Sequence, residues 1–402
     1  MGIMNRLSTL VKYHASFIDY DLAKIHLGTS CADTRNASER LNAAARWICR
    51  AQDVSGDGGV ARSYSLTYNT YFGRRGWNPS YPETTGYIIP TMFDYAKISG
   101  NGEMYDRAVR MADWECEVQM DNGAVQGGTI DQTPTPAIFN TGQVIFGWVR
   151  AFSETGKEKY LSSARRAGEY LVREQDADGA WRKNLSDYAS KKIDSYTYNT
   201  RTAWGLMYLQ SVTGEEEHRI GAIRNIEYAL AQQDENGWFR NNCLWDPSQP
   251  VAHTIAYCIR GILEVGTCIG SSRYIDAARK AADALLENQK VDGSLAGKFD
   301  DRWKSTVRWS CLTGIAQMAI IWGRLFQITG DGKYLAGMKG ANRYLMGVQL
   351  YRTTNPDLFG GICGSYPIHG QYGRYEVLNW AVKFFMDALM LEMKIENQGR
   401  DS

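Results

Sequence analysis

The sequence predicts an all-α protein, an (α/α)6 toroid in which six inner helices form a barrel inside a ring of six outer helices. The first observation behind this prediction is a phrase that recurs six times, in which a helix-like segment ends at a glutamine and a glycine-containing turn follows. The glutamines lie 67, 56, 58, 56 and 60 residues apart; they are Gln52, Gln119, Gln175, Gln233, Gln289 and Gln349. A period this regular indicates one helical hairpin used six times.

The second observation is that two kinds of helix alternate within this period. The segments that end at the glutamines carry a charged face, as at Lys157, Arg165 and Glu169, which is typical of a helix exposed to solvent. The segments after the turns are more continuously apolar, which is typical of a helix enclosed by others. In chain order, these predicted inner helices span residues 84–99, 141–155, 200–213, 254–267, 311–329 and 376–392.

Glycines mark the ends of both kinds of helix, because glycine adopts the left-handed conformation that terminates helices. Gly100, Gly156 and Gly214, for example, follow predicted inner helices. An open superhelical solenoid is the alternative arrangement, but six repeats favour a closed ring. We expect a single toroid domain at residues 36–402, with a helical N-terminal extension at residues 1–35 packed on its outside.

Composition excludes several classes of partner and cofactor. The chain has 402 residues, and its 45 Lys and Arg residues nearly balance 44 Asp and Glu residues, without a basic tract. Nucleic acid is therefore not an expected partner, because binding to its backbone requires concentrated positive charge. Phosphate-binding loops, dinucleotide-binding glycines and a nucleophile-serine elbow are absent from the sequence. We predict no cofactor and no metal.

The cysteines and the N-terminus suggest a cytoplasmic protein. The eight cysteines are scattered and form no CxxC pair, so most are interpreted as buried free thiols of a reducing compartment. The N-terminal segment lacks the pattern of a signal peptide, and no apolar run is long enough to insert into a membrane. Cys311, at the start of an inner helix, is either a thiol with a lowered pKa or a small buried residue.

The starts of the inner helices are the expected functional site, because in a toroid they converge on one end of the barrel. Capping explains the threonines there, such as Thr84 and Thr254. It explains less well the other residues, which are Tyr81, Glu83, Asn140, Tyr198, Asn199, Arg201, His253, Arg308, Trp309, Tyr375 and Glu376. Six helix N-termini also attract an anion. Two long loops, residues 60–82 and 358–375, overhang the same end and add the candidates Arg74, Trp77, His369 and Tyr372.

This set of residues suits removal of the C5 proton of a uronic acid. Arg201 and Arg308 would neutralise the substrate carboxylate, together with Asn140, Asn199 and the loop residues as binding groups. The catalytic candidates are His253, Tyr198, Glu83, Tyr375 and Glu376, with a histidine or tyrosine as the base and Tyr81 assisting. Return of the proton to the other face describes an epimerase, and loss of the 4-substituent describes a lyase.

Two other functions remain open from the residues. Glu83 and Glu376 could instead serve as the acid and base of a glycoside hydrolase. A non-catalytic glycan-binding protein is the third possibility. In each case the partner is a carbohydrate, either an oligosaccharide, a polysaccharide or a carrier-linked sugar, and the oligomeric state is open.

From about residue 36, the chain resembles the α/α-toroid (six-hairpin) carbohydrate-active proteins, a superfamily of glycosidases, polysaccharide lyases and sugar epimerases. The residues WGRLFQITGDGKY at 322–334 are similar to inner-helix endings in that superfamily. More narrowly, YPETTGYIIP at 81–90 and RWSCLTGIAQMAI at 308–320 resemble proteins of bacterial exopolysaccharide clusters. Those are often labelled polysaccharide biosynthesis protein or delta-aminolevulinic acid dehydratase, a (β/α)8 enzyme whose strand pattern is missing here. The resemblance implies a toroid fold and an enzyme of exopolysaccharide metabolism.

Overall fold

The computed structural model describes residues 36–185 and 193–398, together with Lys12. Except for Lys12, the predicted extension at residues 1–35 lies outside the described residues. The described part of the chain contains twelve α-helices. They are α1 (Ala37–Ser55), α2 (Pro82–Ser99), α3 (Gly102–Glu117), α4 (Ile138–Thr155), α5 (Glu158–Arg173), α6 (Thr200–Thr213), α7 (Glu216–Leu230), α8 (Ala252–Ile269), α9 (Ser272–Glu287), α10 (Leu312–Thr329), α11 (Gly332–Val348) and α12 (Asn379–Gln398).

The twelve helices form a closed (α/α)6 toroid, as predicted. The even-numbered helices are the inner ones, and each packs against the next from α2 to α12. Helix α12 then packs against both α2 and α1, which closes the ring and rules out the open solenoid. The inner helices are almost completely buried over most of their length, because each is enclosed by two inner neighbours and its own outer partner.

The repeated glutamines join neighbouring hairpins. In every repeat the Nε2 group donates one hydrogen bond to the carbonyl oxygen of the turn glycine and a second to a carbonyl oxygen of the next outer helix. The oxygens in the neighbouring helix belong to Arg107, Ser163, Gly221, Ala277, Gly337 and, for the last glutamine, Arg40 of α1. The glutamines that recur in the sequence therefore form the contacts between neighbouring helices of the outer ring.

The described loops contain five short strands, and one of them corrects a predicted helix boundary. The strands are β1 (Ser63–Asn69), β2 (Arg74–Trp77), β3 (Ser310–Cys311), β4 (Ser365–Tyr366) and β5 (Glu376–Leu378). They form an antiparallel sheet in the order β2–β1–β5 and an antiparallel pair β3–β4. Glu376 was predicted to begin the sixth inner helix, but it pairs with Ser65 as a strand residue and the helix begins at Asn379.

The described cysteines form no disulfide. Cys311 is fully buried, and this burial raises the pKa of its thiol to about 12, so it is a small buried residue rather than a reactive thiol. Loss of hydration outweighs the favourable contacts of the thiol with backbone groups at the helix start. Of the described helices, none combines the length and the apolar character needed to span a bilayer.

Candidate active site

A cavity of about 340 Å³ lies at the end of the barrel where the inner helices begin. Six of the residues singled out from the sequence lie in its wall, namely Tyr81, Glu83, Tyr198, His253, Tyr372 and Glu376. They come from the starts of α2, α6 and α8 and from the loop and strand that precede α12. The toroid therefore brings together side chains that are separated by almost 300 residues in the sequence.

Glu376 is held by a cluster of hydrogen-bond donors. Its Oε1 atom accepts from Arg62 Nη1 at 3.2 Å, from Ser63 Oγ at 3.0 Å and from Asn69 Nδ2 at 3.1 Å. Weaker bonds come from Ser65 and Asn78, at 3.4 and 3.3 Å. Donors around one oxygen suit an ionised carboxylate, which only accepts hydrogen bonds. No described residue donates to its second oxygen, Oε2, so this atom remains available to a ligand in the cavity.

The environment of Glu83 instead favours the protonated form of its carboxyl group. It follows Pro82 in the first turn of α2, and the phenolic hydroxyl of Tyr81 donates to its Oε2 atom at 2.5 Å. Burial raises the pKa of Glu83 to about 7, and the bond from Tyr81 and the charge of Arg201 only partly offset this effect. A carboxyl group with this pKa is protonated in a large fraction of molecules at neutral pH, as a general acid requires.

His253 and Tyr198 are neutral in this environment. Burial, together with the charge of Arg201, lowers the pKa of His253 to about 3. Its Nδ1 atom lies 2.5 Å from Gln317 Nε2, and its ring centre lies 4.3 Å from that of Tyr257. Burial raises the pKa of Tyr198 well above its ordinary value. Neither residue has the pKa near the working pH that a general base needs.

Nine of the candidates lie outside the described wall of this cavity. Arg201 lines a different cavity, at the other end of the barrel. Arg74, Arg308 and His369 are exposed at the surface. The remaining five, which are Trp77, Asn140, Asn199, Trp309 and Tyr375, are buried or half-buried in the surrounding loops and helix starts.

Local packing accounts for several of these buried candidates. Asn140 donates to the carbonyl oxygen of Gln126 at 2.9 Å, and Trp77 packs on Trp47 with ring centres 5.2 Å apart. The Trp309 ring lies so close to Gly297 that a Cβ atom there would be 2.2 Å from it. These side chains hold the loops in place rather than forming the wall.

Sequence reasoning missed several residues of the wall. Tyr87, Tyr257 and Trp380 each lie four positions after a recognised candidate, at Glu83, His253 and Glu376. Because residues four apart share a face of a helix, this spacing was a usable signal for the first two. Arg62 carried no comparable signal, because its contact with Glu376 depends on pairing between distant strands. The other missed residues are Asn69, Phe139, Leu244, Gln371 and Gly373.

The described wall is rich in aromatic residues and contains two arginines. Tyr87 is the one described residue that also lines the cavity at the other end of the barrel. The guanidinium of Arg62 lies 4.9 Å from the Trp380 ring centre, whereas Arg374 is exposed and lies 5.2 Å from the Tyr375 ring centre. Flat rings with a few charged groups are typical of sites for small polar ligands.

Metal-ligating side chains do not gather at this cavity. Among the described residues, the group with suitable ligand atoms within 4.8 Å of one another is Glu215, Glu217 and His218, at the start of the outer helix α7. None of the three lines the cavity.

Comparison with known proteins supports the fold. The family model for the squalene-hopene cyclase C-terminal domain matches residues 135–261, about a third of the chain. No curated protein matches the sequence significantly.

Several solved structures are similar along almost their whole length. An unsaturated glucuronyl hydrolase specific for heparin has a TM-score of 0.70 and 16% identity, with 90% of this chain and 98% of that chain covered. An unsaturated glucuronyl hydrolase from Bacillus sp. GL1 has a TM-score of 0.69 and 14% identity, with 90% and 97% covered. Cellobiose 2-epimerase from Bacillus thermoamylovorans B4167 has a TM-score of 0.67 and 13% identity, with 88% and 98% covered. At these identities the likeness concerns the fold, which hosts more than one chemistry.

Proposed function

We propose that the protein is a carbohydrate-active enzyme that hydrolyses a glycosidic bond next to an acidic sugar, with Glu83 as the acid and Glu376 as the carboxylate. The observation that carries this proposal is the presence in one cavity of two glutamates in opposite environments. Burial raises the pKa of Glu83 to about 7, while donors surround one oxygen of Glu376. Such divergence between paired carboxyl groups is the usual basis for assigning acid and base roles.

The reaction follows from these two roles. Glu83 gives its proton to the glycosidic oxygen, and the bond between that oxygen and the anomeric carbon breaks with its electron pair going to the oxygen. Glu376 stabilises the positive charge that develops on the sugar ring through its available Oε2 atom. Water supplies the hydroxyl group to the anomeric carbon, and its remaining proton restores the acid form of Glu83.

The wall suits a short sugar with a negative charge. Aromatic rings such as Tyr87, Tyr257 and Trp380 offer flat apolar surfaces to a pyranose ring. Arg374 at the wall is available to pair with a sugar carboxylate. A volume of about 340 Å³ is at the small end of ligand sites, which favours a terminal residue of a glycan. Two similar structures are named as unsaturated glucuronyl hydrolases, which is consistent with this substrate class.

The geometry favours hydrolysis over the C5-proton abstraction that the sequence first suggested. That reaction needs a base, but burial leaves His253 with a pKa of about 3 and Tyr198 as a neutral phenol. The two arginines that the sequence assigned to the substrate carboxylate in that reaction, Arg201 and Arg308, lie outside the described wall. A purely glycan-binding role does not account for a carboxyl group with a raised pKa in the wall of the cavity.

The test is a turnover assay on defined oligosaccharides that end in glucuronate, unsaturated glucuronate or a neutral sugar. We expect wild-type protein to release the terminal acidic sugar, and Glu83→Gln and Glu376→Gln each to lower kcat by about 100-fold to 10,000-fold. The matched control is Glu158→Gln, because Glu158 is an exposed glutamate in the first turn of the outer helix α5.

Two results would contradict the proposal. One is the absence of hydrolysis by wild-type protein across the acidic substrates. The other is incorporation of deuterium at C5 of a uronate in heavy water without bond cleavage, which would restore the epimerase hypothesis. Calorimetry on the Gln variants separates loss of turnover from loss of binding.

A further inference from the structure

A second cavity, of about 720 Å³, lies at the other end of the barrel. Most of its wall comes from the later turns of the inner helices, although Arg201 lies in the first turn of α6. The part of the chain that the structure describes contributes only Tyr87 to both cavities. Glu83 and Glu376 do not line it. The reaction proposed above therefore leaves this cavity without a role.

The most unusual side chain in this cavity is Arg201. It is 4% exposed, and its Nε atom donates to Gln143 Oε1 at 2.6 Å. Its two terminal nitrogens donate to no described residue. A buried guanidinium has five N–H donors in a planar fork, so most of its hydrogen-bonding capacity is unused here.

Nearby carboxylates are already paired with other cations. Asp387 accepts from Lys383 Nζ at 2.5 Å and from Thr91 Oγ1 at 2.7 Å. Glu264 accepts from two arginines, Arg260 at 2.6 Å and Arg324 at 2.9 Å. Glu264 is shared by two arginines, and Arg201 pairs with no described carboxylate. This end of the barrel therefore holds an excess of positive charge.

The titration of the neighbouring lysine is consistent with that excess. Burial lowers the pKa of Lys383 to about 8, and the charges of Arg201 and Arg260 contribute to the decrease. Charges of one sign that are enclosed in low dielectric attract a counter-ion strongly.

We propose that this second cavity binds a small organic anion, with a carboxylate or phosphate group on Arg201 and a flat or apolar body against the wall. The terminal nitrogens of Arg201 match the paired oxygens of either group. Phe146, Trp204 and Ile320 provide the apolar surface for the remainder of the ligand. The aromatic rings around the guanidinium, including Trp204 at 5.2 Å, stabilise its charge but do not accept its in-plane N–H groups.

The experiment uses the full-length protein and fluorinated probes followed by ¹⁹F NMR. The probes are 4-fluorobenzoate, 4-fluorophenyl phosphate and the neutral 4-fluorobenzyl alcohol. We expect saturable binding of one or both anions and none of the alcohol, and comparison of the two anions tells carboxylate from phosphate. Absence of saturable anion binding to wild-type protein would overturn the proposal.

Two variants show which cavity binds the anions. Arg201→Met should weaken binding by at least about tenfold, because a charged hydrogen-bonding partner is lost. Arg374→Ala alters the other cavity and should leave anion binding unchanged, so the result is independent of the proposed hydrolysis. Loss of binding in Arg374→Ala alone would place the anion at the first cavity and refute the proposal.

A second variant covers the case in which Arg201→Met does not fold, as judged by circular dichroism. Trp204→Leu removes a half-buried ring of the wall while retaining Arg201. We expect it to weaken anion binding severalfold, and unchanged affinity would show that the anions bind elsewhere.

Discussion

The side-chain amide of Gln349 donates a hydrogen bond to the carbonyl oxygen of Arg40 at 3.0 Å, across 309 positions of the sequence. Its second N–H donates to the carbonyl oxygen of Gly360 at 2.9 Å. The same pair of contacts occurs in the other five repeats, but here it joins the last outer helix to the first. Gln349 is therefore a closing contact of the ring.

Replacement of Gln349 should destabilise the closed toroid. Gln349→Ala removes two buried hydrogen bonds, which corresponds to a loss of about 1–3 kcal/mol in the free energy of unfolding. Urea unfolding followed by circular dichroism measures this loss. Gln210→Ala is the control, because that glutamine lies on an inner helix outside the repeated phrase. Equal stability of the two variants would mean that the contact does not contribute to closure.

A turn glycine should resist substitution for two reasons. Gly293 has a φ of +89°, and a Cβ atom there would lie 2.0 Å from the carbonyl oxygen of Gly340 on α11. Gly293→Ala should therefore lower the free energy of unfolding by more than about 2 kcal/mol. Gly332→Ala is the matched control, since a Cβ atom at Gly332 meets nothing within 4 Å. Thermal unfolding compares them, and similar melting temperatures would contradict the expectation.

The pH dependence of hydrolysis should report Glu83. Because burial raises its pKa to about 7, the acid form declines as the pH rises through neutrality. We expect kcat/KM to decrease above about pH 7 with an apparent pKa near that value. A profile that is flat between pH 6 and pH 9 in wild-type enzyme would exclude Glu83 as the essential acid.

The pH dependence of the free energy of unfolding should report the titration of Glu83 in the absence of substrate. The pKa of Glu83 is raised in the folded state, so its contribution is fully present below the unfolded pKa and is lost as the pH rises through about 7. The free energy of unfolding of wild type relative to Glu83→Gln should therefore fall between about pH 4.5 and pH 7. Denaturant unfolding at several pH values measures the difference. A constant difference would show that Glu83 titrates normally.

Arg201 should affect the pKa of Glu83 although it lies outside the wall of the active-site cavity. Its positive charge lowers the pKa of Glu83, so Arg201→Met should raise that pKa and move the alkaline limb of kcat/KM to higher pH. The control is Arg343→Met, an exposed position on the outer helix α11. A shift to lower pH, or an equal shift in both variants, would contradict the electrostatic explanation.

Part of the site was predictable because it follows from local sequence. Glu83 and His253 lie at the starts of inner helices, and the repeat places every such start at one end of the barrel. Glu376 was predicted to begin the sixth inner helix; it belongs to a strand instead, but that strand ends directly before the helix. Arg62 was not predictable, since its contact with Glu376 requires β1 to pair with a strand more than 300 residues away.

The sequence by itself determined the architecture of this protein. A glutamine and a glycine turn at a steady period specify six hairpins, and the alternation of charged and apolar helices assigns one helix of each hairpin to the outer ring and one to the inner ring. The sequence was sufficient because both signals depend on neighbours along the chain. Only the tertiary structure decided which way each side chain faces at the end of the barrel. Arg201 is three residues beyond Tyr198, which lines the first cavity, yet Arg201 lines the second cavity at the other end of the barrel. Successive side chains of a helix point about 100° apart around its axis. The packing of all six inner helices then decides which cavity each side chain lines.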